Sequence, residues 1–182
     1  MIYVLLANGF EEIEALTPVD MLRRAGSAVK TVSLEEGLVV HGAHGIDVVA
    51  DVMPADADAP VELLLLPGGM PGSLNLDASL VTDEMLSRAS KDGGRIAAIC
   101  AAPLVLGRRG LLKGKRAVCY PGFEKELEGA TVTDAPFVTD GLFTTARGMG
   151  AATLFGAELV RLLHGEETAA NMLRSICSTE KL

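Results

Sequence analysis

Cysteine is scarce in this 182-residue sequence, with three residues at positions 100, 119 and 177. An odd number with no CxxC or zinc-ligand spacing argues against a disulfide framework or a structural zinc cluster. Basic charge is also in short supply: 16 Lys and Arg stand against 24 Asp and Glu, a formal net charge of -8. A chain that binds a polyanion needs clustered Lys and Arg to displace counterions. The one dense basic stretch, Arg108-Arg109 through Lys113, Lys115 and Arg116, is short and glycine-interrupted, and it reads as a solvated loop. No apolar run approaches the roughly 20 residues of a membrane span. The opening Met1-Ile2-Tyr3-Val4-Leu5-Leu6 has neither the basic region nor the cleavage site of a secretory signal. The expected compartment is the reducing cytoplasm, with neither nucleic acid nor membrane as partner.

What is present is a globular composition, 49% apolar and 22% charged, at a length that suits one domain over residues 1–182. Residues 2–7, 28–34, 61–66, 95–99 and 117–119 read as strands, and most are rich in Val, Leu and Ile without alternation. Such runs are covered on both faces, and in alternating βα order they predict a parallel sheet sandwiched by helices. The expected fold is therefore α/β, a flavodoxin-like doubly wound sheet. Helices are predicted over residues 10–25, 79–91, 101–108, 148–163 and 166–176, with Gly26, Gly93 and Gly165 as stops. Residues 39–53 and 132–145, with their Gly and Asp turns, read as a hairpin excursion and edge strands.

In an open parallel sheet, functional residues collect where strands run into the following helices. Three loops qualify: Asn8-Gly9-Phe10-Glu11-Glu12, Pro67-Gly68-Gly69-Met70-Pro71-Gly72 and Cys100-Ala101-Ala102-Pro103. Cys100 follows an apolar strand, precedes a helix and has small neighbours. That is the build of a nucleophile elbow, in which a sharp turn holds the nucleophile in a strained conformation and the helix N-terminus lowers the thiol pKa. Paired glycines at 68 and 69 let backbone N–H groups approach a bound oxygen, and with the N–H of Ala101 they would make an oxyanion hole. Glu11, Glu12 and Glu14 open the first helix, where the dipole favours acids without any function. Pro18 gives no N–H to the Glu14 carbonyl, so the helix is expected to kink or loosen there. Glu14 and Glu11 both have apolar neighbours at helical spacing, and periodicity does not choose between them.

The sequence resembles the ThiJ/PfpI family of the class I glutamine amidotransferase-like superfamily. The resemblance rests on Gly9-Phe10-Glu11-Glu12-Ile13-Glu14-Ala15, Pro18-Val19-Asp20 with Arg23-Arg24-Ala25-Gly26, Leu66-Pro67-Gly68-Gly69, Ala97-Ala98-Ile99-Cys100-Ala101-Ala102-Pro103 and Thr145-Ala146-Arg147-Gly148, in family order over most of the chain. It is nearest to the parkinsonism-linked glyoxalase III and deglycase branch and to bacterial relatives labelled as thiazole-monophosphate biosynthesis proteins. The resemblance implies Cys100 as nucleophile, Glu14 as the protonated carboxyl beside it, and Gly68, Gly69 and Ala101 as N–H donors. It also implies a homodimer with no cofactor or metal, in which His44 approaches a site across the dimer and Arg147 lies near the substrate.

Two positions depart from family patterns. The protease-like branch has a histidine directly after the cysteine, where this chain has Ala101, so a Cys-His dyad and a peptidase are not expected. The parkinsonism-linked branch often has a histidine about twenty residues on, before a proline, where this chain has Tyr120 before Pro121. A tyrosine hydroxyl donates a hydrogen bond but is a poor base near neutral pH. His164 ends a helix before Gly165 and Glu166, where dipole chemistry accounts for it without an amidotransferase triad.

The expected activity is cysteine-dependent and glutathione-independent chemistry on small 2-oxoaldehydes or their adducts, through a Cys100 hemithioacetal with Glu14 moving the proton. The alternative is a redox sensor or chaperone-like protein in which Cys100 is oxidised.

Overall fold

A computed structural model describes all 182 residues. The run Ile2–Leu6 forms β1, whose five residues are all buried. Ile2, Val4 and Leu6 point into one apolar cluster and Tyr3, Leu5 and Ala7 into another, so one uninterrupted apolar strand serves two cores, as a sheet covered on both faces requires. The chain continues through α1 (Glu12–Arg24), β2 (Val29–Ser33), a hairpin of β3 (Val39–His41) and β4 (Asp47–Val49), then β5 (Leu63–Leu66). Helices α2 (Gly72–Ala78) and α3 (Leu80–Asp92) precede β6 (Arg95–Ile99) and α4 (Pro103–Arg108). The short strands β7 (Arg116–Ala117) and β8 (Thr131–Val132) lead to β9 (Phe137–Asp140), β10 (Phe143–Ala146), α5 (Ala152–His164) and α6 (Glu166–Ser175).

The main sheet has the order β2-β1-β5-β6-β10-β9. Five strands are parallel and β9 runs antiparallel to β10 at the edge. Side chains of α1, α5 and α6 fill one core, and those of α2, α3 and α4 fill the other. This is the doubly wound α/β architecture that the apolar runs predict. The chain reverses its direction of winding around β1 and β5, which places the β1, β5 and β6 exits at one end of the sheet.

Several details differ from expectation. Residues 117–119 do not enter the main sheet: β7 covers only Arg116–Ala117 and pairs with β8, while the Val118 N–H donates to Thr145 Oγ1 at 2.9 Å. The place beside β6 goes to β10, because the β9–β10 turn returns the chain along it. Residues 132–145 therefore supply one central strand as well as an edge. Helix α2 begins on loop residue Gly72 and fills residues 73–78, to which the sequence pattern assigns no element, because seven residues from Gly72 show too little periodicity to announce it. Helix α5 starts at Ala152, after a 3-10 turn over Met149–Ala151, rather than at Gly148. Helix α1 runs as one element through Pro18. Gly93 caps α3 in the left-handed conformation, φ 69°, with its N–H on the carbonyls of Ala89 and Ser90.

Candidate active site

Strand β6 delivers Cys100 to the loop between sheet and α4. Cys100 has φ 65°, a left-handed conformation that side chains avoid and that persists only where the surroundings enforce it. They do so here through two backbone bonds: the Cys100 N–H donates to the Ala146 carbonyl at 2.9 Å, and the Cys100 carbonyl accepts the Tyr120 N–H at 2.8 Å. The elbow is thus clamped between β10 and the Tyr120 loop, with Pro103 starting α4 just beyond it.

Glu14, on the first turn of α1, is 1% exposed. Its Oε2 accepts the Gly68 N–H at 3.1 Å, and its carboxyl also meets the Met149 N–H and the Cys100 thiol. Burial, aided by the charge of Glu11, pushes this carboxyl up to about 7 despite those hydrogen bonds. Geometry therefore settles the choice that periodicity left open. Glu11 caps α1 through the Ile13 N–H at 3.4 Å and turns toward His44 instead.

The sulfur of Cys100 faces the N–H groups of Ala101 and Gly69, which favour the thiolate. Burial and the neighbouring Glu14 charge nevertheless push the thiol up to about 12. This reverses the expected direction: Cys100 lies two residues before the Ala102 cap of a six-residue helix, and desolvation outweighs what that helix end offers. Both partners hold their protons more tightly than free side chains do, so near neutral pH the pair carries at most one negative charge and has a proton to share.

One further correction concerns the donors. The Gly68 N–H is committed to Glu14, leaving Gly69 and Ala101 as the amides that face the sulfur. Gly68 is needed for room: a methyl on its Cα would stand 2.6 Å from Cys100 Cβ and collide with Glu14 Oε2. Gly69, at φ 93°, combines a glycine conformation with backbone crowding from Gly9 and Glu11.

The other expected residues distribute unevenly. Tyr120 stands at the mouth, half exposed, with its ring edge beside Gly148. Arg147 turns outward and pairs with Asp134, while its N–H donates to the Pro136 carbonyl at 2.9 Å. His44 Nδ1 lies 2.9 Å from Glu12 Oε2 and 3.0 Å from Glu11 Oε2, and its backbone N–H donates to Glu12 Oε1 at 2.8 Å. The Glu12 hydrogen bond, with both carboxylate charges, pushes His44 up. Glu11, Glu12 and His44 are the group whose donor atoms converge, within 4.8 Å, as a cation would require; here His44 itself bridges the two carboxylates. His164 bonds Ser27 Oγ at 2.6 Å, an arrangement without a place in a catalytic triad. Cys119 belongs to the core cluster opposite the one that Cys100 packs against.

Sequence reasoning missed Gly148 and the Met149 amide as parts of the site. The signal was the glycine directly after Arg147, quoted only as a family motif. A surface cleft of about 630 Å³ lined by Glu166, Leu173, Arg174 and the C-terminal residues includes none of the Cys100 group.

The model of the DJ-1/PfpI family matches residues 1–162. The chain belongs to the DJ-1/PfpI family. Among relatives of this DJ-1/PfpI chain, the Arabidopsis thaliana protein named DJ-1 homolog B is 39% identical over 170 residues, covering 92% of this chain and 39% of that protein. The chain thus spans about two-fifths of the length of that relative. A Pyrococcus abyssi protein named a deglycase is 33% identical over 170 residues, covering 89% of this chain and 98% of its own. Among solved structures, a Salmonella typhimurium DJ-1 superfamily protein superposes with a TM-score of 0.93 at 35% identity, covering 98% of both chains. The oxidised Toxoplasma gondii DJ-1 gives 0.94 at 31% identity, again with 98% of both chains.

Proposed function

We propose that this chain is a glyoxalase III or deglycase-type enzyme that acts on small 2-oxoaldehydes or their adducts without glutathione. The observation that carries this reading is the proton-sharing pair itself: a buried carboxyl pushed up to about 7, in hydrogen-bond contact with a strained cysteine that faces two backbone N–H groups. An acid with a pKa near the working pH both gives and takes protons efficiently. The name of the Pyrococcus abyssi relative supports the same substrate class.

In the proposed sequence the Cys100 sulfur bonds to the aldehyde carbon, and Glu14 relays the thiol proton to the carbonyl oxygen, giving a hemithioacetal. The Glu14 carboxylate then takes the proton from that carbon and delivers it to the neighbouring keto carbon while the hydroxyl proton of the hemithioacetal passes to the keto oxygen, which converts the adduct to a thioester of a 2-hydroxy acid. Water adds to the thioester carbonyl, the thiolate leaves, and the 2-hydroxy acid is released. The Gly69 and Ala101 amides stabilise the oxygen charge that develops in the first and last steps.

The test is proton NMR of methylglyoxal with purified protein. Many equivalents of lactate per chain are expected from wild type, and none from Cys100→Ser. Loss of one equivalent of methylglyoxal without lactate would overturn the enzyme reading.

A second reading, reversible or sulfinate-forming oxidation of Cys100 as a redox signal, is favoured by the oxidised state of the Toxoplasma gondii neighbour. Stoichiometric loss of one thiol to peroxide, with no turnover of oxoaldehyde, is its signature. Our reading also includes a cytoplasmic homodimer. Its supports are three free cysteines and the exposed Ile13, Val39, Ile46 and Val49 on α1 and the β3–β4 hairpin. Sedimentation at several concentrations checks the dimer.

A further inference from the structure

Gly148 has φ 162° and ψ -172°, extended backbone that any residue adopts, so conformation does not require glycine there. Space does. A methyl on its Cα would lie 3.9 Å from both Cys100 Sγ and Glu14 Oε1, and 3.3 Å from Tyr120 Cδ2. The missing side chain leaves open a corner that touches the nucleophile, the acid and an aromatic ring together. This corner, beside that ring, is open to the substituent of a carbon newly bonded to the sulfur. Tyr120 is 51% exposed, so its ring has surface to offer, and its backbone bond to the Cys100 carbonyl fixes where that surface begins. Exposed Met149 follows on the same rim.

Charge points the same way. Glu11, Glu12 and Glu14 are all buried on the α1 side of the site. The cation next to Gly148, Arg147, is held by Asp134, and His44 is held by Glu11 and Glu12. An anionic substrate would meet carboxylates there, while the neighbouring cations Arg147 and His44 already have acidic partners.

Resting on the reading of Cys100 as a carbonyl nucleophile, we propose that Tyr120 and Gly148 are specificity-determining residues. They make this a site for uncharged carbonyl compounds with a flat apolar substituent, such as aryl 2-oxoaldehydes, and against anionic ones such as glyoxylate. Tyr120 acts as a wall on which the substituent packs, and Gly148 as the gap through which it passes.

The experiment uses alkylation, which needs only the thiolate and therefore reports on the site whether or not oxoaldehydes are turned over. Iodoacetanilide, iodoacetamide and iodoacetate each lose iodide to the attacking sulfur. Their rates at Cys100, mapped by mass and divided by those for N-acetylcysteine, isolate what the pocket adds. The anilide should exceed the amide by about 3- to 10-fold, the range of an aromatic contact, and iodoacetate should fall about 10-fold or more below the amide. Tyr120→Phe should keep the anilide preference and Tyr120→Ala should abolish it. Gly148→Ala should slow the anilide more than the amide. Asp134→Asn, which releases Arg147, should raise the iodoacetate rate alone. Equal normalised rates for anilide and amide in wild type, or a preference that survives Tyr120→Ala, would overturn the proposal. A preference that holds in a protein making no lactate from methylglyoxal would sink the enzyme reading and leave the selectivity standing.

Discussion

Replacing Glu14 by glutamine tests the electrostatics of the site through stability, independently of any substrate. The carboxyl is pushed up from 4.5 to about 7 in the folded chain. A raised acid means that the native state binds its proton more tightly than the unfolded chain does. The contribution is fully present below about pH 4.5 and is lost as pH rises toward 7, where the buried carboxylate must ionise. The difference between those values corresponds to roughly 3 kcal/mol. Glu14→Gln keeps an oxygen that can accept the Gly68 N–H, fits the same volume and does not titrate.

The assay is urea denaturation of both proteins at pH values from 4.5 to 8. Other carboxylates titrate in both and cancel in the difference. Relative to wild type, the variant should gain about 3 kcal/mol as pH rises from 4.5 to 7.5, with no further change above. Parallel pH profiles would show that Glu14 is an ordinary solvated carboxylate and would refute the proton-sharing pair. The same variant donates to the sulfur through its amide but cannot relay a proton. Alkylation of Cys100 should therefore survive, while hydroxy-acid formation falls by roughly 10²-fold or more.

The ratio of Cys100 to Cys177 alkylation should fall as pH rises through about 7, because Glu14 then turns from a proton donor into a repelling charge; mass mapping with limiting iodoacetamide reads it, and a rising ratio contradicts the pair. Gly68→Ala drives a methyl against Cys100 Cβ and Glu14 Oε2, which should cost about 1–3 kcal/mol in urea denaturation and disable turnover; wild-type values of both would mean that the loop yields freely. Tyr120→His introduces a base at the mouth of the site and should raise oxoaldehyde turnover if proton transfer limits it. Unchanged rates at several pH values would take Tyr120 out of the proton path.

Much of this arrangement is legible in the sequence, because the physics that places it is local. Unalternating runs such as residues 2–7 and 61–66 announce strands with two covered faces, and a polar atom at the end of one, flanked by alanines, announces an elbow. Central strand β10 is hidden by its chemistry. In Phe143–Ala146, Thr144 and Thr145 are each 1% exposed, yet both hydroxyls find partners, Thr139 Oγ1 at 3.1 Å and the Val118 N–H at 2.9 Å. A buried polar run whose bonds are made by neighbouring strands and loops has no hydropathy signature.

The thiol pKa is hidden for a related reason. A helix end is visible in sequence, but the burial and the Glu14 charge that outweigh it come from packing α1 against the elbow. Gly148 is the extreme case. Its backbone is ordinary, so nothing local demands glycine. Its meaning exists only where the Cys100 sulfur, the Glu14 oxygen and the Tyr120 ring, brought there by three separate segments, stand within 4 Å of the side chain it lacks. Residues that act by leaving space are legible only from what surrounds the space, and for that reason the selectivity of this site emerges from the fold rather than from its motifs.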